Sequence, residues 1–146
     1  LSLPLEIRNE IYTYLLPRTV KHPSGTRIDR GIVWLRGQTA IMATCHQLNS
    51  ECMALLYGSN MFVISVGYDR IHFRFRWLLP ANHNLSPNRA FSFLDHFSQR
   101  TIQLIKNYHI DVEQVDPYTG MIKFNCQGRG LTDGLRSQVQ TLVDVL

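Results

Sequence analysis

The chain has 146 residues, 45% of them hydrophobic and 18% charged, with a formal net charge of +4. That length supports one domain with a real core, and that composition excludes a disordered polyelectrolyte. No apolar run approaches the roughly 18 residues a membrane span needs, so no membrane partner is expected.

The positive charge comes from twelve arginines and three lysines, giving a pI near 9.2. These charges are spread along the chain and form no basic run. Three cysteines, Cys45, Cys52 and Cys126, are too few and too irregular for a disulfide framework. They read as reduced thiols of an intracellular protein, cytoplasmic or nuclear. No basic n-region with a small-residue cleavage site marks a signal peptide. The chain begins without Met and ends inside an apparent helix, so it reads as a piece of a longer protein.

The first predicted helix covers residues 4–16. Pro4 suits the first helical position and Glu6 the positive end of the dipole. Ile7, Ile11 and Leu15 recur at helical spacing, Tyr12 and Leu16 widen the stripe, and Arg8, Asn9, Glu10 and Thr13 form the wet face. Pro17 ends the helix. Residues 17–38 are punctuated by proline and glycine and read as a loop or hairpin. Within it Ile32-Val33-Trp34-Leu35 is a candidate strand, with Arg27-Ile28-Asp29 as its partner.

The second helix is expected over 39–57, with Ile41, Cys45, Leu48, Cys52 and Leu55 as a buried seam and Gln47, Asn49, Ser50 and Glu51 toward water. Gly58 is the candidate left-handed terminator, and Ser59-Asn60 turn the chain into a strand at 61–66. Cys45 and Cys52 are about 10.5 Å apart in rise on such a helix, which is too far for a disulfide. Residues 71–77 alternate like a strand, with Phe73, Phe75 and Trp77 on one side and Arg74 and Arg76 on the other; a helix start is the other reading.

A third helix is expected over 89–98, with Phe93 and Phe97 on one face, followed by an apolar patch at Ile102, Leu104 and Ile105. Residues 109–126 read as a β-hairpin around Asp116-Pro117-Tyr118-Thr119-Gly120. A last helix starts at Thr132 and carries Leu135, Val139, Leu142, Val143 and Leu146.

Little in the chain points to catalysis. The six histidines form no i/i+4 pair, and no Cys-x-x-Cys spacing occurs, so neither a metal site nor a cofactor is expected. Asp111 and Glu113 share a strand face, where two carboxylates ordinarily serve solubility. Gly128-Arg129-Gly130 lacks the lysine of a phosphate loop. The rings and arginines of 73–77 could form a nucleic-acid platform, but rings inward and arginines outward is the simpler arrangement.

Two blocks together carry a resemblance. Leu3-Pro4-Leu5-Glu6-Ile7-Arg8-Asn9-Glu10-Ile11-Tyr12 resembles the first helix of F-box and F-box-like domains. Thr44-Cys45-His46-Gln47-Leu48-Asn49-Ser50-Glu51-Cys52, continuing through Leu55-Leu56-Tyr57-Gly58-Ser59-Asn60-Met61-Phe62, is similar to the second block of the F-box-like proteins abundant in filamentous fungi. The resemblance implies a non-enzymatic substrate receptor. Such a receptor docks on a Skp-family adaptor of a cullin-RING ubiquitin ligase and recruits a protein substrate. It would place Leu3, Pro4, Ile7, Ile11 and Leu15 at the adaptor contact.

Residues 1–66 are then an F-box-like helical segment with an inserted loop or hairpin at 17–38, and 67–146 a small α+β segment continuous with it. The expected architecture is α+β: an F-box-like helical pair on a small mixed or antiparallel sheet of 61–66, 109–115 and 120–126, with 32–35 as a further candidate strand, and with covering helices at about 89–105 and 132–146. Two alternatives stay open. One is an adaptor-independent scaffold. The other is a module that binds RNA or another anion through Arg27, Arg30, Arg36, Arg74 and Arg76.

Overall fold

In a computed structural model, described over residues 2–24, 26, 29–80, 84–112 and 131–146, helix α1 spans Leu5–Leu15. Pro4 precedes it as the N-cap, one position outside the expected place. Strands β1 (Arg18–Lys21) and β2 (Ile32–Leu35) follow. A 3-10 turn at Ala40–Ala43 leads into α2 (His46–Ser59), then β3 (Met61–Val66) and β4 (Ile71–Phe75). After β5 (Arg89–Ser92) come two single-turn helices, α3 (Phe93–His96) and α4 (Gln99–Ile102). Strand β6 (Asn107–Val112) and helix α5 (Leu131–Val145) complete the α+β fold.

The main sheet has the order β5-β4-β3-β6. β3 pairs antiparallel with β4 and parallel with β6, and β4 pairs antiparallel with β5. Residues 32–35 form a separate two-stranded ladder with β1, in the register Arg18 to Leu35 and Lys21 to Ile32. The ladder partner of 32–35 is therefore 18–21 and not the expected 27–29, of which Arg27 and Ile28 lie outside the described residues. Asp29 lies instead in the turn, where its Oδ1 accepts from the N–H groups of Thr26 (2.7 Å) and Gly31 (2.9 Å). Gly31 has φ +81°, and a Cβ there would overlap the carbonyl oxygen of His22, so only glycine closes this ladder. The ladder joins the sheet end through Trp34, whose N–H donates to the Arg76 carbonyl (2.8 Å).

Three further expectations change. The helix expected from residue 39 breaks at Cys45, an extended, exposed N-cap. Thr44 Oγ1 donates to the Ile41 carbonyl (2.7 Å) and Asn49 Nδ2 to the Met42 carbonyl (2.8 Å), so side chains satisfy the groups a continuous helix would use. Only Cys52 of that pair is buried. Gly58 sits within α2 rather than beyond it, and extended Asn60 ends the helix. Residues 89–92 are strand, not helix, because Phe91 pairs with Phe73 across the ladder and stacks on Phe75 (5.5 Å, 14°). The turn and second strand expected at 113–126, with Glu113, Cys126 and the 128–130 glycines, lie outside the described residues.

The core lies on one face of the sheet. Phe62, Ile64 and Val66 of β3 and Ile71 and Phe73 of β4 meet Trp34, Phe93, Phe97, Ile102, Ile105 and Leu142. Phe93 and Phe97 share a buried face as their spacing predicts. On α5, Leu142 turns inward with Leu135 and Val145, whereas Val139, Val143 and Leu146 stay exposed. A second, small cluster joins α1 to α2 through Tyr12, Leu16 and Cys52.

Candidate docking surface

The apolar stripe of α1 splits in two. Tyr12 and Leu16 turn toward α2 and are buried. Ile7 and Ile11 turn away, at 47% and 42% exposure, and with Leu3 (48%) before the helix they form an outward row. Tyr14, 81% exposed, extends it. Ile7, Ile11 and Tyr14 stand at i, i+4 and i+7, one face of a helix. Of the remaining residues expected at the contact, Pro4 is exposed and Leu15 is half-buried on the shoulder. Glu6 and Glu10, both exposed, add negative charge to this helix. The 17–38 excursion leaves the row uncovered, since it packs through Trp34 against the sheet end.

Behind the row lies a polar clamp that helical periodicity does not reveal. Arg8 and Glu51, both expected to face water, meet in a bidentate pair: Nε to Oε2 at 2.9 Å and Nη2 to Oε1 at 2.6 Å. Their side chains are only 13% and 16% exposed. Tyr12 donates its hydroxyl to Glu51 Oε2 (2.7 Å), and Gln47 Nε2 donates to Oε1 (3.0 Å). The remaining Arg8 nitrogen, Nη1, donates to the Leu3 carbonyl, tying the lead-in of α1 to the same carboxylate.

These donors, Arg8 first and then Gln47 and Tyr12, hold the Glu51 carboxyl down at about 2. Glu51 in turn raises the Arg8 guanidinium. Burial, reinforced by Glu51, raises the Tyr12 phenol. The clamp fixes the pitch of α1 on α2 with polar bonds. It leaves the isoleucines free, and it presents the row in one preset geometry.

The candidate anion-binding arginines do not gather in one place. Arg27 lies outside the described residues. Arg36 is exposed beyond β2. Arg76 pairs with Asp29 (3.4 Å), and Arg74 is half-buried with its Nε enclosed and without a hydrogen-bond partner. Burial raises the Asp29 carboxyl, but the Gly31 and Thr26 donors and Arg76 outweigh it, so the group lies below its ordinary value. Arg30 alone lines a basic pocket of about 390 Å³, with Lys21, Thr19 and His109. The rings of Phe73, Phe75 and Trp77 face the core side and line an apolar groove, not an open platform.

Among the described residues, no group of three or more His, Cys, Asp or Glu could hold a metal ion, and no helix is long and apolar enough to cross a membrane. Comparison of the chain with family models, curated proteins and solved structures finds no match.

Proposed function

We propose that this chain is a non-catalytic protein-interaction module of F-box-like type, in which α1 docks on a Skp-family adaptor and the rest of the chain presents a protein substrate to a cullin-RING ubiquitin ligase. The observation that carries the reading is the outward apolar row of Leu3, Ile7 and Ile11 on a helix backed by the Arg8–Glu51 clamp. A short helix with Ile7, Ile11 and Tyr14 at i, i+4 and i+7 suits insertion into an apolar groove. Its ordering cost is already met by the clamp and by the small cluster beneath. Glu6 and Glu10 favour a groove with basic groups on its margin.

Co-expression with a Skp-family adaptor, followed by size-exclusion chromatography, tests the reading. The native chain is expected to co-elute with the adaptor, and Leu3→Asp with Ile7→Asp to elute alone at an unchanged melting temperature. Co-elution of the double variant would refute the docking face. Absence of any native complex would favour an adaptor-independent scaffold.

The basic pocket favours a second reading, binding of a small anion. Among the described residues Lys21 and Arg30 line it and no Asp or Glu does, and His109 Nε2 is enclosed without a hydrogen-bond partner. Phosphate protection of the fold that disappears in Lys21→Ala with Arg30→Ala would support this reading, and equal protection of the variant would remove it.

A further inference from the structure

The apolar groove on the core side of the sheet points to a second site. Trp34 from β2, Phe75 from β4 and Phe91 from β5 wall it together with Trp77, Tyr57 and His96. Its volume is about 390 Å³, within the roughly 300–1,000 Å³ range of small-molecule sites. The rings meet in two orientations. Phe75 and Phe91 stack at 5.5 Å and 14°, and His96 continues that stack on Phe91 at 5.1 Å and 20°. Trp77 stands edge-on to Phe75 (5.7 Å, 83°) and to Trp34 (6.4 Å, 61°). The rings pack on one another and leave the groove with a lining that is almost wholly aromatic, a surface suited to an aromatic ligand.

The chemistry of the lining selects further. Among the described residues, no Asp, Glu, Lys or Arg contributes to the groove. An ion entering it would shed water without a counter-charge, which is costly. Polar side-chain groups come from Thr39 and His96, both exposed, and from the Tyr57 hydroxyl and the indoles. Phe91 remains 37% exposed although its ladder partner Phe73 is buried, so the core closes without filling the groove.

We propose that this groove binds an uncharged, planar aromatic small molecule of about two rings, with one polar substituent directed to Thr39 or His96. The site is independent of the α1 docking row, so either can fail without the other.

Both tryptophans of the chain, Trp34 and Trp77, line the groove, so tryptophan emission reads its occupancy. The experiment titrates the full chain with N-phenylnaphthylamine, a neutral fluorescent probe, and follows energy transfer from tryptophan. One-to-one saturable binding is expected, with displacement by neutral naphthol at about tenfold lower concentration than by naphthoate, whose charge the lining does not offset. Thr39→Phe, at an exposed position whose side chain makes no cap hydrogen bond, should fill the groove and weaken the probe about tenfold at an unchanged melting temperature. Phe91→Ala removes a wall and should weaken it in the same direction if Thr39→Phe does not fold. Unsaturable uptake, equal displacement by naphthoate, or undiminished binding by the folded variants would overturn the proposal.

Discussion

The α1–α2 junction and the sheet core are held by opposite means. The sheet core is aromatic, with Phe62 in ring contact with Trp34, Tyr57, Phe73 and Phe97 at 5.3–5.9 Å. The junction buries only Tyr12, Leu16 and Cys52 and adds a carboxylate that receives three side-chain partners. The core spends its rings inward. The helix turns Ile7 and Ile11 outward although α2 lies beside it. Leu3, Ile7, Ile11 and Tyr14 stay exposed while Tyr12, Leu16 and the polar bonds secure the inner face, and the proposed docking rests on that exposed apolar row.

The largest expected effect falls on the core. Phe62→Ala should cost about 3–5 kcal/mol in chemical denaturation, because a fully buried ring leaves a cavity among four others. A cost below about 1 kcal/mol would show that the sheet does not depend on this cluster.

Next comes the joint between the two regions. Buried Asn60 accepts from the Thr19 N–H (2.6 Å) and donates to the carbonyls of Leu56 (2.8 Å) and Pro17 (3.2 Å). Asn60→Ala should therefore cost about 2–3 kcal/mol, from unpaired buried groups on three segments. Loss of the α1–α2 contacts ahead of the sheet, read by hydrogen exchange, would sharpen the distinction further.

The clamp gives the smallest effect and its own pH signature. Glu51 is ionised down to about 2 in the fold, against about 4.5 ordinarily. A depressed carboxyl stabilises fully above the ordinary value and loses its contribution as pH falls toward the folded value. The melting-temperature advantage of the native chain over Glu51→Gln should be constant above about pH 5 and shrink between about 4.5 and 2. A pH-independent difference would mean that the pair acts by shape alone.

The sequence made the core easier to read than the site. The apolar run after Ser59-Asn60 marked β3, alternation marked the rings of β4, and the Phe93–Phe97 spacing marked a buried pair that the short helix α3 and its C-cap keep. Residues 89–92 misread because their strand identity comes from pairing with Phe73 and Phe75, which lie far away in sequence. Ile7 and Ile11 were legible as apolar helix positions, but the same stripe contained Tyr12 and Leu16, and periodicity cannot say which half meets α2. The partner decides it. Glu51, 43 residues from Arg8, draws the arginine inward and rotates the isoleucines out. Tyr14 lies at i+7 from Ile7, on the edge of the stripe away from Tyr12 and Leu16, and gains meaning only once that edge is known to face outward; Asn60 was hidden because a turn residue and a buried hub look alike in one sequence.

Calorimetric titration of a Skp-family adaptor into the native chain and into Ile7→Asp with Ile11→Asp, each with a thermal melt, tests the outward row most directly. The account predicts that the native chain binds, that the variant gives no binding heat, and that the two melting temperatures agree to within the small change expected of surface substitutions. Binding heat retained by the variant, or a fold lost with it, would contradict the claim that these side chains serve a partner and not the protein's own core.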